Sequence, residues 1–285
     1  MPSSTLRQVT DFGPNPTGLE MYLYVPERVR WHSGMVVAVH NCGGSAQAFF
    51  TGTRFADLAD EHGFVVVYPS VTRTDPQCFD NSSPDSLTHT GAGDPAAIVS
   101  MVRHVQRTLR TDPGQVYAAG LSSGAMMTNV LLGAHPEVFR GGSAMSGVPF
   151  GGFATTDGTL WNADCAEGRL AMSPKEWGDL VRAAHPGHQG PRPRIQLWHG
   201  TEDAILAYPN FEGAVAQWTD VLGAQLAHTD HPRPNWTHSV YTDAAGRIAV
   251  DAHSVEGEDH DLGYHYVDWA ERAVEFFGLT DPGRD

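Results

Sequence analysis

Val116-Tyr117-Ala118-Ala119-Gly120-Leu121-Ser122-Ser123-Gly124-Ala125-Met126-Met127 is the stretch that decides the fold. A short apolar run, Val116–Ala119, ends in Gly-x-Ser-x-Gly and passes without a spacer into an apolar helical pattern. A tight strand-to-helix turn needs small residues on both sides of its serine, because a Cβ there would strike neighbouring backbone. The serine Oγ then stands clear of the sheet, above a helix N-terminus. The free N–H groups and positive dipole end of that helix can hold an oxygen that becomes negative. The pentapeptide occurs once in the chain, which makes Ser122 the candidate nucleophile.

Outward from this turn, short β-branched runs alternate with helical patterns, the mark of repeated βαβ units. Strands are predicted at Met21–Val25, Met35–His40, Gly63–Tyr68, Val116–Ala119, Ser143–Ser146, Arg194–His199 and Ile248–Val255. Helices are predicted at Phe50–His62, Asp94–Leu109, Ser123–His135, Pro174–His185, Phe211–Leu222 and Tyr266–Phe277. Consecutive Val65, Val66 and Val67 suit a strand covered on both faces. The pattern predicts an α/β fold, a mostly parallel central sheet with helices on both faces, in a single domain over residues 1–285. Two connections, Thr72–Gly93 and Gly147–Ser173, exceed ordinary length, and such loops tend to shape sites.

Composition narrows the function. With 41% hydrophobic and 18% charged residues, the 285-residue chain can bury a large core. Its formal charge of −15 repels phosphate backbones and anionic membranes, so neither nucleic acid nor membrane is an expected partner. Cys42, Cys78 and Cys165 lack CxxC spacing and allow one disulfide at most. HExxH is absent and the histidines are scattered, so no metal and no cofactor are expected. The start Met1-Pro-Ser-Ser-Thr-Leu6 holds no apolar signal core, so export would rest on a leader outside this sequence.

In a serine hydrolase of the α/β-hydrolase fold, acid and histidine follow the serine in that order, on loops beyond later strands. After Ile195-Gln-Leu-Trp198 comes His199-Gly200-Thr201-Glu202-Asp203, which makes Asp203 the candidate acid and Glu202 its rival. For the base, His253, His260 and His265 compete. His253 falls within the last strand, whereas His260 ends the loop Glu256–His260 and is preferred. The glycine-rich loop His40-Asn41-Cys42-Gly43-Gly44 follows an early strand, so the backbone N–H groups of Cys42 and Ser123 are the expected oxyanion donors. Trp161 and Phe79, on the two long loops, and Tyr208, just after Asp203, are candidate substrate contacts, since sugar rings stack on aromatics.

Several segments together resemble carbohydrate esterase family one, the acetylxylan and feruloyl esterases, which are related to the polyhydroxybutyrate depolymerases. They are Leu6-Arg-Gln-Val-Thr-Asp-Phe-Gly-Pro-Asn-Pro16, Phe55-Ala-Asp-Leu-Ala-Asp-Glu-His-Gly-Phe64, Ser86-Leu-Thr-His-Thr-Gly-Ala-Gly-Asp94 and Gly120-Leu-Ser-Ser-Gly-Ala-Met-Met-Thr-Asn129. The likeness continues in Leu160-Trp-Asn-Ala-Asp-Cys-Ala-Glu-Gly168, Pro191-Arg-Pro-Arg-Ile-Gln-Leu-Trp-His-Gly200 and Glu275-Phe-Phe-Gly-Leu279. The resemblance implies a secreted serine esterase acting on acylated xylan, with acetyl preferred to feruloyl and Ser122, Asp203 and His260 as its triad. It also implies a Cys42–Cys78 disulfide, leaving Cys165 free. Two departures stand out: the family's Gly-x-Gly-His reads Gly257-Glu258-Asp259-His260 here, and Asn41 replaces the Gly or Tyr beside the oxyanion cysteine. A polyester depolymerase would share the triad but need an exposed apolar surface. A catalytically dead binding protein would ordinarily lack Ser122 or His260.

Overall fold

The structure, a computed structural model, describes residues 5–262 and 269–280. Its strands are β1 (Arg7–Val9), β2 (Glu20–Tyr24), β3 (Met35–Val39), β4 (Val65–Ser70), β5 (Val116–Leu121), β6 (Gly141–Met145) and β7 (Arg194–Gly200), followed by β8 (Gln225–Arg233), β9 (Trp236–Thr242) and β10 (Ile248–Val255). All join one sheet in the order β1-β2-β4-β3-β5-β6-β7-β10-β9-β8. The run β4-β3-β5-β6-β7-β10 is parallel. Antiparallel strands flank it at both edges.

The central strands are buried on both faces because their neighbours in sequence are the helices that cover them. Successive residues face opposite sides. Met35, Val37 and Val39 enter one core with Val65 and Val67, together with side chains of α3 (Asp94–Leu109), α4 (Ser123–Ala134) and α7 (Pro209–Leu222). Val36, Ala38, Val66 and Tyr68 enter the other, beneath α1 (Ala46–Gly52), α2 (Phe55–His62) and α8 (Trp269–Phe277). Each fully buried valine or leucine contributes roughly 1.5–3 kcal/mol of transfer free energy. Two further helices, α5 (Ala163–Ala166) and α6 (Pro174–Ala184), belong to the long segment after β6.

Three expectations need correction. The helix expected at Phe50–His62 is two helices, because Thr53 adopts extended backbone and closes the first turn onto the Phe49 carbonyl with both its N–H and its hydroxyl. Strands β8 and β9 and the short β1 were not anticipated. Every residue of β8 is exposed, so it has no buried face to impose a hydrophobic alternation. The loop Gly147–Ser173 carries α5. The start of the expected helix Tyr266–Phe277, and His265 before it, lie outside the described residues. Among the described residues, no helix is long and apolar enough to cross a membrane.

Candidate active site

Strand β5 lies near the middle of the sheet and delivers Ser122 at its end, directly before α4. The serine sits at φ 56° and ψ −118°, a left-handed conformation unfavourable for any residue with a side chain. The flanking glycines allow the turn. A Cβ on Gly120 would lie 2.1 Å from the Gly124 carbonyl oxygen, and one on Gly124 would lie 2.0 Å from that of Val39. The Ser122 N–H donates to the Met145 carbonyl at 2.9 Å, which pins the turn to β6.

Loops after β7 and β10 bring the other two side chains. They are bound to each other: Thr201 N–H donates to Val255 O at 3.0 Å and Glu202 N–H to Glu258 O at 2.9 Å. His260 Nε2 lies 2.8 Å from Ser122 Oγ, and its Nδ1 lies 2.7 Å from Asp203 Oδ2. The three side chains singled out by sequence therefore form one hydrogen-bonded line. The rivals are elsewhere. Glu202 is exposed, and His253 is buried in β10 between Trp236 and Asp251, with bonds of 3.1 and 3.0 Å.

Asp203 is fixed from several sides. Its Oδ1 accepts the N–H groups of Ile205 and Leu206 at 2.9 and 2.8 Å. Its Oδ2 accepts from His260 and lies 3.1 Å from His199 Nε2, which also meets the Leu206 carbonyl at 2.8 Å. Burial alone would raise the Asp203 carboxyl, but the bonds from His199 and His260 outweigh it and hold it well below the usual carboxylate range. A permanently ionised acid keeps the His260 proton on Nδ1 and presents Nε2 to the serine as acceptor.

The loop after β3, which carries the candidate oxyanion donor Cys42, borders the serine. Cys42 lines the same cleft as Ser122, and Ser123 is the first residue of α4, whose opening N–H groups have no intrahelical acceptor. Cys42 is joined to Cys78 by a disulfide, and Cys165 is free and buried. Behind the loop, His40 accepts the Val71 N–H on Nε2 at 3.1 Å and meets the Asn41 carbonyl through Nδ1 at 2.7 Å. Burial pushes the His40 imidazole down to about 4, against the opposing pull of the Asn41 carbonyl, so it is neutral near pH 7. The disulfide-bearing segment is held by Arg73, which donates to the Cys78 carbonyl at 3.0 Å and is paired with buried Asp94.

The cleft above Ser122 encloses about 870 Å³. Its lining includes apolar Met126, Phe153, Leu160, Trp161, Ile205 and Leu206, while Asn41, Arg73, Asp75, Asp80 and Asn81 supply polar groups. Trp161 is 53% exposed and edges onto Phe153 at 5.3 Å. Phe79 also lines the cleft, but its ring is buried against His40, at 4.7 Å. It forms a floor rather than an open platform. Tyr208 is not in the cleft: its hydroxyl bonds Ser254 at 2.8 Å and its ring packs on Phe211, so this expected contact is withdrawn.

Sequence reasoning missed several contributors. Ser123 also braces the long loop: its Oγ accepts the Phe79 N–H at 2.9 Å and its backbone carbonyl accepts a hydrogen bond from Asn81 Nδ2 at 3.1 Å. His199 was visible as the residue before Gly200, yet nothing local marks it as an Asp203 partner. Four of the fifteen histidines, expected to be scattered, gather in two groups away from the cleft: His89 and His185 with Glu137, and His238 and His253 with Asp251. His135-Pro136-Glu137 was the available signal for the first.

A parallel sheet with a serine at the sharp turn after its central strand, and acid and histidine on later loops, defines the α/β-hydrolase class. The chain belongs to the esterase PHB depolymerase family, whose model matches residues 19–223. A feruloyl esterase B of Thermothelomyces thermophilus is 43% identical over 246 residues, covering 85% of this chain and 84% of its own. An acetylxylan esterase A of Aspergillus oryzae is 35% identical over 98% of this chain and 90% of its own. The solved structure of an acetyl xylan esterase from Aspergillus awamori superposes with a TM-score of 0.89 at 34% identity, over 96% of this chain and 99% of that one. This chain is an esterase.

Proposed function

We propose that the chain is a secreted serine esterase, one catalytic domain over residues 1–285, that removes acyl groups from xylan through Ser122, His260 and Asp203. The observation that carries this reading is the continuous bond line from Ser122 Oγ through His260 to Asp203, at 2.8 and 2.7 Å, opening into the cleft. Ser122 Oγ attacks the ester carbonyl while His260 Nε2 takes its proton, and Asp203 stabilises the imidazolium. The N–H groups of Cys42 and Ser123 receive the oxyanion, and losing one such donor costs about 3 kcal/mol. His260 then gives that proton to the sugar oxygen as its bond to the acyl carbon breaks, freeing the sugar hydroxyl and leaving Ser122 acylated. Water, deprotonated by His260, attacks the acyl-enzyme, releases the acid and restores the serine.

Xylan fits a cleft lined by several polar side chains and by half-exposed Trp161. A solid polyester fits it less well. Of the exposed large apolar residues described, Trp161 and Ile205 border the cleft, while Val29, Trp31, Leu226 and Ile248 do not. Acetyl is the proposed acyl group. A feruloyl ester is the second reading, favoured by the apolar lining residues Met126, Phe153 and Leu206 and by a volume well beyond what acetyl fills. The relatives' names divide in the same way. Secretion is supported by the Cys42–Cys78 disulfide, a bond at home in oxidising compartments.

The experiment compares kcat/KM on acetylated xylan and on methyl ferulate under identical conditions. Release of acetate at the higher efficiency supports the acetyl reading. Strong preference for ferulate replaces it, and no activity on either refutes the substrate class.

A further inference from the structure

We propose that His89, Glu137 and His185, with His135 beside them, bind a divalent cation of the zinc type at a site separate from the cleft of Ser122. One ring nitrogen from each of His89 and His185 and one carboxylate oxygen of Glu137 lie within 4.8 Å of one another. Glu137 is approached at 3.8 Å by Nδ1 of His185 and at 3.8 Å by Nδ1 of His135. Such separations are too long for hydrogen bonds. They suit donor atoms that share one ion through bonds of about 2.0–2.2 Å.

An unsatisfied nitrogen points the same way. His185 Nδ1, the atom that faces Glu137, is buried without a hydrogen-bond partner, where buried polar atoms are ordinarily paired; His135 turns Nδ1 toward Glu137, and its unpaired Nε2 lies on the other side of the ring. His135 is 5% exposed. His89 Nδ1 faces the Ala134 carbonyl at 2.8 Å. With the proton there, Nε2 carries the lone pair; Nδ1 is also the atom 3.9 Å from Glu137 Oε1, so ligation through Nε2 asks the ring to turn. The His89 and His185 rings stack at 3.7 Å and 9°, so ligation asks them to splay. That is a rotation about χ2, a soft terminal torsion.

The second histidine group shows the contrast. His238 Nε2 and His253 Nε2 reach Asp251 at 2.6 and 3.0 Å, and Trp236 Nε1 donates to His253 Nδ1 at 3.1 Å. Each of these contacts is a hydrogen bond. A cation on His253 Nε2 would move its proton to Nδ1, against the Trp236 N–H. That group is a closed network, whereas the His89 group has nitrogens to spare. Two or three imidazoles with one carboxylate select Zn²⁺, Ni²⁺ or Cu²⁺ over Mg²⁺ and Ca²⁺, which require oxygen donors. The ion would fasten the long cleft loop, through His89, to the segment after α4 and to the end of α6, through His185.

The test uses chelator-treated wild-type protein without a histidine tag, dialysed against ZnCl₂, with thermal unfolding followed in parallel. The expected result is one Zn²⁺ per chain at micromolar free metal and an unfolding midpoint that rises with metal concentration. His185→Ala and Glu137→Gln should each weaken binding at least about tenfold and keep wild-type esterase activity, while His238→Ala should bind as wild type does. The visible spectrum of Co²⁺-loaded wild type probes the donors without any substitution. Absence of binding at micromolar Zn²⁺, equal affinity in His185→Ala, equal stabilisation by MgCl₂, or a spectrum matching aqueous Co²⁺ would each overturn the proposal.

Discussion

Ser122 holds a backbone conformation that costs on the order of 1–3 kcal/mol, and the close approach of α4 to β3 and β5 keeps it there. Ser122→Ala removes the proposed nucleophile while leaving that packing intact, so hydrolysis should fall by several orders of magnitude with an unchanged circular dichroism spectrum. His260→Ala should be as severe, and the double variant no worse, because the two groups act in one step. His253→Ala should keep most of the turnover of whatever protein folds, since His253 serves the Trp236 and Asp251 network. His199→Ala leaves the Leu206 carbonyl and one edge of Asp203 without a donor. A kcat loss of about tenfold at constant KM is expected, and an unchanged kcat would make His199 mere filling. Chain order made Ser122, Asp203 and His260 legible, because the fold dictates that order. His199 was hidden, because its partnership depends on a loop that doubles back.

At the scale of elements, the turn between β5 and α4 has no room for one more carbon. Gly124→Ala would place a Cβ against the Val39 carbonyl, so soluble yield or unfolding midpoint should drop sharply, whereas Gly187→Ala, with nothing near its Cβ, meets only the strain of its positive φ. The disulfide joins positions 36 apart. By chain-entropy reasoning, closing such a loop contributes about 4 kcal/mol. The Cys42→Ser, Cys78→Ser double variant should therefore unfold at lower urea and lose activity through a looser oxyanion loop; an equal midpoint would show the bond to be idle. The central strands were legible in sequence because burial on both faces leaves unbroken apolar runs such as Val65 to Val67. Strand β8 was not, because an exposed edge hairpin is held by main-chain pairing to β9 and carries no apolar periodicity.

For the whole molecule, acid should be the weakness. Unfolded His40 takes up a proton near its ordinary value of 6.5, while in the fold it resists until about 4. The stability it contributes is full above the unfolded value and is lost as pH falls through that window, on the order of 3 kcal/mol at most. Buried His253 is lowered as well and adds to the loss. Asp203 and Asp251, both held below the usual carboxylate range, contribute stability above that range and lose it at still lower pH. His238 is raised, first by its bond to Asp251, and works in the other direction, stabilising below its unfolded value and fading as pH rises. Urea midpoints should therefore fall from pH 7 to pH 4, and a flat profile would remove His40 from the account. The measurement nearest the central claim is peptide mapping after reaction with a fluorophosphonate, which traps an activated serine covalently. The expected result is one adduct per chain, on Ser122 within Gly120–Gly124, and none on the His260→Ala protein. An adduct on any other residue, or an active enzyme that takes up no label, would contradict the proposed site.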